Sequence, residues 1–155
     1  MTGAGRFADR QSATREWMSA ESVEALLVSA APNVRWLTGF TGEGLLVLDE
    51  DGTLLCTDSR YEVQAAEEAP GLEVAADSGH LDGAIERLNA SGAARMGFEG
   101  SHLSYASYER LAGELEDPAP VSLGDEIKRL RAIKDAAEVA TIRRAAEIAD
   151  AAFAD

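Results

Sequence analysis

Three short runs without a charged residue constrain this chain most: Ala25-Leu26-Leu27-Val28, Gly44-Leu45-Leu46-Val47-Leu48 and Thr53-Leu54-Leu55-Cys56-Thr57. Each is too short for a helix. Each is also continuous where a half-exposed strand would alternate, so the pattern predicts strands covered on both faces. The second and third are separated by Asp49-Glu50-Asp51-Gly52, which predicts a hairpin with an Asp-Gly turn. Helical signals stand between the apolar runs. Pro32 to Gly39 reads as a short helix or turn, with Pro at its start and Gly at its end. Ser59 followed by Glu62 fits a capping box, predicting a helix from there to about Ala69, stopped by Pro70-Gly71. Leu81, Ile85 and Leu88 have helical spacing, as do Tyr105, Tyr108, Leu111 and Leu115, the latter segment ended by Pro118 and Pro120. Leu72 to Ala76, Arg95 to Phe98 and Val121-Ser122-Leu123 are the remaining strand candidates. Strands alternating with helices predict an α/β domain, and the hairpin places an antiparallel pair inside its sheet.

The two ends read differently. Met1 to Arg10 is Gly-rich and polar and is expected to fray, with a short helix over Ser12 to Ser19. The stretch Met1 to Trp17 carries three arginines and no apolar core segment, so no secretory leader is read there. From Asp125 onward the sequence is strongly helical with a break at Lys134-Asp135. Asp135 and Glu138 have the spacing of a second capping box. Beyond it Val139, Ile142, Ala146, Ala149 and Phe153 form one apolar seam. Such a seam needs cover, either from this domain or from a further one. On the second reading the exposed stripe promotes self-association, and Asp155 is expected to be a boundary instead of a natural end.

With 46% hydrophobic residues the chain has the composition of a packed domain and not of a disordered one. No apolar run approaches the roughly 20 residues of a membrane span. The net charge of −14, from 28 acidic and 14 basic residues, argues against nucleic acid, whose phosphates need a basic face. It suits solubility or a salty host; an acidic surface for basic partners is the sharper reading, which nothing in the charge pattern favours. The lone Cys56 has no internal disulfide partner, which fits a reducing cytoplasm, and its apolar run makes it a buried small hydrophobe before a nucleophile.

Several stretches in order carry a family resemblance. Asn33-Val34-Arg35-Trp36-Leu37-Thr38-Gly39-Phe40-Thr41-Gly42 resembles the N-V-R-Y-L-T-G-F-x-G stretch of the creatinase/aminopeptidase P N-terminal domain. Thr57-Asp58-Ser59-Arg60-Tyr61 resembles its T-D-G-R-Y, with Ser59 in place of Gly. Gly97-Phe98-Glu99, with Ser104-Tyr105 and Tyr108, resembles its G-F-E and T-Y-x-x-Y. Leu130-Arg131-Ala132-Ile133-Lys134-Asp135 with Glu138, Val139, Ile142 and Arg143 resembles the segment that opens the family's catalytic domain. The resemblance spans about Glu24 to Asp155 and is to Xaa-Pro aminopeptidases and Xaa-Pro dipeptidases alike.

The resemblance implies a three-layer α/β domain with a mixed sheet of about six strands and helices on both faces. It also implies a following pita-bread catalytic domain, absent here, with two Mn-like divalent ions held by two Asp, one His and two Glu. The expected organisation is a tail and short helix over 1–20, the α/β domain over 21–124, and a linker with the first catalytic-domain helix over 125–155. The expected role is that of a non-catalytic domain, inactive alone. In the full-length protein it would gate access of proline-containing peptides and mediate contacts with its own catalytic domain and in a homo-oligomer. No nucleic acid or membrane partner is expected, and the location is cytoplasmic.

Within this chain no catalytic residue, metal ligand or cofactor site is expected. His80 and His102 have no metal-site spacing and read as helix-start and turn residues. Phe40-Thr41-Gly42-Glu43-Gly44 precedes a strand and lacks the Lys and hydroxyl of a phosphate loop, so a tight turn is favoured. Arg60, Tyr61, Arg35 and Trp36 are the substrate-side candidates, with Asn33 and Phe40 raising the same question. Helix starts at strand ends are where α/β domains place ligand contacts. The alternative is purely structural: Arg60 pairs with Asp58, Tyr61 packs in the core, and Trp36 and Phe40 share a buried face. Two rival functions stay open, a binding module among dead-peptidase relatives such as histone chaperones, and a creatinase-like amidinohydrolase.

Overall fold

The structure, a computed structural model, describes residues 3–76, 79–117, 119–124 and 126–154. Pro118 and Asp125, invoked above as a helix stop and a helix start, lie outside these, as do Met1, Thr2, Asp77, Ser78 and Asp155. Six strands form one mixed sheet in the order β4-β3-β2-β1-β5-β6. They are β1 (Ala25–Val28), β2 (Leu45–Leu48), β3 (Thr53–Cys56), β4 (Glu73–Ala75), β5 (Arg95–Glu99) and β6 (Ala119–Leu123). β2 pairs antiparallel with both β1 and β3, and the other three pairings are parallel. The helices are α1 (Gly3–Ala20), α2 (Ala31–Thr38), α3 (Glu62–Glu68), α4 (His80–Ala90), α5 (Tyr105–Glu114), α6 (Glu126–Ala132) and α7 (Ala136–Ala154).

The continuous apolar runs are explained by two cores. Leu26, Val28, Leu46, Leu48 and Leu55 point to one face, where they meet Met18, Val34, Leu37, Ala65 and Ile127 from α1, α2, α3 and α6. The alternate residues Ala25, Leu27, Val47, Leu54 and Cys56 point to the other, against Ala84, Ile85, Leu88 and Leu111 from α4 and α5. Both sides of each strand therefore lose water, and neither tolerates a charge. The expected three-layer fold is what forms. The hairpin closes as the sequence implies, with the Asp49 carboxylate accepting the Gly52 N–H at 3.0 Å.

Four details differ from the sequence reading. The N-terminal segment is no frayed tail with a short helix but one 18-residue helix. Its polar side chains hold it in place: Arg10 and Gln11 donate to the Trp36 and Leu37 carbonyls at 2.9 and 3.0 Å, satisfying the end of α2, and Arg15 donates to the Asp49 and Gly52 carbonyls of the hairpin turn. Second, the cap after β3 is Asp58 and not Ser59. Its side chain accepts the Arg60 N–H at 2.9 Å and opens a tight 3-10 turn over Ser59–Tyr61 before α3, because an aspartate one residue earlier already offers the acceptor. Third, the last strand begins at Ala119 and contains Pro120, which its place at the sheet edge allows because no ladder partner needs the missing N–H. Fourth, β4 is shorter than the Leu72 to Ala76 run, while α4 does open at His80, after Gly79.

At the C-terminal end the second capping box forms reciprocally. Asp135 N–H donates to Glu138 at 3.0 Å and Glu138 N–H donates to Asp135 at 2.8 Å. The seam beyond it does not pack on the domain: α7 buries no residue, Ile142 is 55% exposed and Phe153 93% exposed. No described helix is long and apolar enough to cross a membrane.

Candidate functional site

An open groove of about 880 Å³ separates the α1–α2 pair from α7. The elements that make it are local consequences of sequence. α2 starts with Pro32 in its first turn and ends where Gly39 adopts φ 88°, a left-handed conformation that a side chain would strain. A Cβ at Gly39 would also lie 2.8 Å from the Phe7 ring, so the glycine lets α1 close on the helix end. Arg35 and Trp36 lie in the last turn of α2 and line the groove. Arg6, Arg10, Arg131 and Lys134 also line it, against only two acids, Glu68 and Glu138. In a chain of net charge −14 this makes the groove a local concentration of positive charge.

Trp36 is half-buried, with the Arg10 guanidinium 4.9 Å from its ring centroid. Its Nε1 and the Nε of Arg6 are buried donors with no hydrogen-bond partner among the described residues. At the groove's edge Glu68 accepts from the Thr41 N–H at 2.7 Å and the Thr41 hydroxyl at 2.8 Å. Burial pushes the Glu68 carboxyl up, but those bonds, a bond from Gln64 and the charge of Arg35 bring it below the usual glutamate range. Glu68 therefore stays an anion and holds the turn after α2.

Arg60 and Tyr61 do not line this groove. Arg60 is exposed and clasps Asp58 with Nε and Nη2 at 3.0 and 2.7 Å. That pairing holds the Asp58 carboxyl well below the usual range. Tyr61 stacks edge-on against buried Phe40, with ring centroids 6.1 Å apart. Phe40 is not on the Trp36 face of α2, because Gly39 ends the helix between them. The four candidates thus fall into two pairs, one in the groove and one on the α3 side of the turn. His80 opens α4 with Nε2 3.4 Å from Asp58, and His102 lies in a turn before α5. Burial pushes the Cys56 thiol up to about 12, which keeps it protonated and unreactive. Among the described residues no group of three or more His, Cys, Asp or Glu is placed to hold a metal ion. The groove offers its positive charge to a ligand with carboxylate or carbonyl oxygens.

Sequence reasoning did not foresee the network behind the groove. Glu99, at the end of β5 and 6% exposed, accepts from the Ser29 and Ala30 N–H groups at 2.6 and 2.7 Å and from the Asn33 side-chain amide. Arg131 in turn donates to Asn33 Oδ1 at 2.8 Å. An acid closing the run Met96-Gly97-Phe98 was the available signal.

This fold and these motif positions match known proteins. A family model described as the creatinase/prolidase N-terminal domain covers residues 10–133. The chain belongs to the creatinase/prolidase N-terminal domain family. An uncharacterized peptidase of Bacillus subtilis is 33% identical over 133 residues, covering 84% of this chain and 38% of that protein. The structure of an Xaa-Pro dipeptidase from Bacillus anthracis superposes with a TM-score of 0.88 at 26% identity, over 95% of this chain and 42% of that one. The N-terminal domain of the cytoplasmic peptidase PepQ from Mycobacterium tuberculosis superposes with a TM-score of 0.75 at 32% identity, over 79% of this chain and 98% of that domain. This creatinase/prolidase N-terminal domain thus spans about two-fifths of the full-length relatives it matches.

Proposed function

We propose that this domain is the non-catalytic N-terminal part of a two-metal Xaa-Pro peptidase, in which it controls access of proline-containing peptides and contributes subunit contacts. The observation that carries the reading is α7. It is capped by residues of the motif that opens the family's catalytic domain, yet among the described residues its apolar stripe stays exposed. On this reading 1–20 is an N-terminal segment that contains α1, 21–124 is the α/β domain, and 125–155 is the linker and first helix of a catalytic domain that covers this stripe. On this reading the two Mn-like ions are held by the catalytic domain that follows. The peptidase names of the relatives and the cytoplasmic description of the M. tuberculosis protein support the activity and the location.

On this reading Arg35 and Trp36 offer a charge and an aromatic face to the peptide from the groove wall. Arg60 and Tyr61 meet substrate or a second subunit from the other side of the turn. The test compares the 155-residue chain with the full-length protein on proline peptides of increasing length with Mn²⁺. The full-length protein is expected to hydrolyse them and the chain alone not to. In the full-length protein, Arg35→Ala and Arg60→Ala are expected to raise KM or lower kcat with unchanged thermal stability. Hydrolysis by the chain alone, or none by the full-length protein, sinks the proposal. Unchanged kinetics removes the residue concerned from the substrate side.

A further inference from the structure

α7 stands away from the domain body with no buried residue, after a break over residues 133–135. Such a helix would swivel freely unless something held its base. One side chain does. Arg10 of α1 is 11% exposed and reaches two other helices at once. Its Nη1 donates to the Trp36 carbonyl at the end of α2 at 2.9 Å. Its Nη2 lies 2.6 Å from Asp135 Oδ2 and 2.8 Å from Glu138 Oε1, the two carboxylates that cap α7. Its guanidinium also faces the Trp36 ring.

The placement is favourable at every contact. The end of α2 has carbonyls without helical partners, and the start of α7 carries acids at the positive end of its dipole. A guanidinium is the one side chain that serves a carbonyl and two carboxylates from a single plane. On the other side of the break Arg131 is anchored to Asn33, and through it to buried Glu99. α2 is therefore tied to the chain on both sides of the break.

We propose that Arg10 is a positioning residue: it ties the capped start of α7 to the end of α2 and so sets the width of the groove that Arg35 and Trp36 line. The consequence for turnover rests on the groove being the peptide side, whereas the geometric consequence does not. Arg10 need not touch substrate. It acts through the separation of the surfaces that do.

Pulsed dipolar spectroscopy between nitroxides at Glu67→Cys and Ala151→Cys reads that separation directly. Both sites are exposed, and buried Cys56 does not take up label. A narrow distance distribution is expected with Arg10 present, and one of roughly doubled width with Arg10→Met. Arg10→Lys should recover part of the narrowing. Should Arg10→Met fail to fold, the pair Asp135→Asn and Glu138→Gln keeps cap acceptors, removes the charge, and should broaden the distribution equally. A distribution unchanged in these variants overturns the proposal. In the full-length protein Arg10→Met should raise KM roughly tenfold with kcat within about twofold. A fall in kcat with KM unchanged would also overturn it. A full-length protein inactive on every proline peptide would refute the peptidase reading alone, leaving the distances to decide on Arg10.

Discussion

Asp49 and Arg87 show how far this fold goes to keep a charge inside. Asp49 is 2% exposed and receives Arg87 Nε at 2.6 Å and Nη2 at 2.8 Å, while its backbone carbonyl accepts from Arg15. Burial alone would raise the Asp49 carboxyl, but the bonds and charge of Arg87 bring it below the usual aspartate range. A depressed native value stabilises the fold above the ordinary aspartate pKa and loses that contribution as pH falls through the native one. Urea midpoints of the wild type should therefore drop as pH falls below the ordinary aspartate range, and Asp49→Asn should remove that share of the dependence. Arg87→Met leaves a buried carboxylate uncompensated and should cost about 3 kcal/mol at neutral pH, read by the same melts. Cys56 has the opposite sign. Its ordinary value is 9.0 and its native value about 12, so folding favours the thiol, and this contribution is lost as pH rises from the first to the second. A thiol reagent at about pH 8 should react with Cys56 only in denaturant, and rapid native-state labelling would refute its burial.

At the scale of elements, α1 was the hardest to read and α2 the easiest. α2 carries Pro at its start and Gly at its end, both local signals. Gly39→Ala adds strain at φ 88° and a clash with Phe7, and should destabilise by about 2 kcal/mol, measured by thermal or urea unfolding. A loss near zero would mean that α1 does not close on the helix end. α1 has no clear apolar stripe. What orders it is a set of polar side chains aimed at carbonyls more than twenty residues away in sequence. No periodicity reports such contacts. The capping box at Asp135 and Glu138 was legible and forms, whereas the one read at Ser59 and Glu62 yields to Asp58, a competition that a pattern of spacings does not rank.

For the whole molecule, the exposed stripe of α7 is the main unsatisfied surface. Val139, Ile142 and Phe153 of that stripe are exposed, and Ile148 is exposed on the opposite side of the helix. The isolated chain should therefore associate as concentration rises, visible by sedimentation velocity, and Ile142→Glu with Phe153→Glu should return it to a monomer. A strictly monomeric wild-type chain would mean that the stripe is too small to drive association. The charge pattern is also a property of the whole. The sum of −14 describes most of the surface, but the groove gathers Arg6, Arg10, Arg35, Arg131 and Lys134. A net charge does not reveal where its minority sign collects.

The sequence by itself determined the three-layer sheet, because runs such as Leu26-Leu27-Val28 have no stable place except between two covering layers. It also determined the hairpin, the ends of α2, the cap of α7 and the family, since each rests on residues close together in the chain. Tertiary structure alone decided that α1 is a full helix and that the α7 seam stays uncovered. It also separated the four site candidates, placing Arg35 and Trp36 in a groove and Arg60 and Tyr61 outside it. Arg10 and Glu99 gained their roles only there as well. Each acts on groups from about twenty-five to more than one hundred residues distant, and the free energy of such contacts depends on which surfaces meet and which polar atoms lose water together.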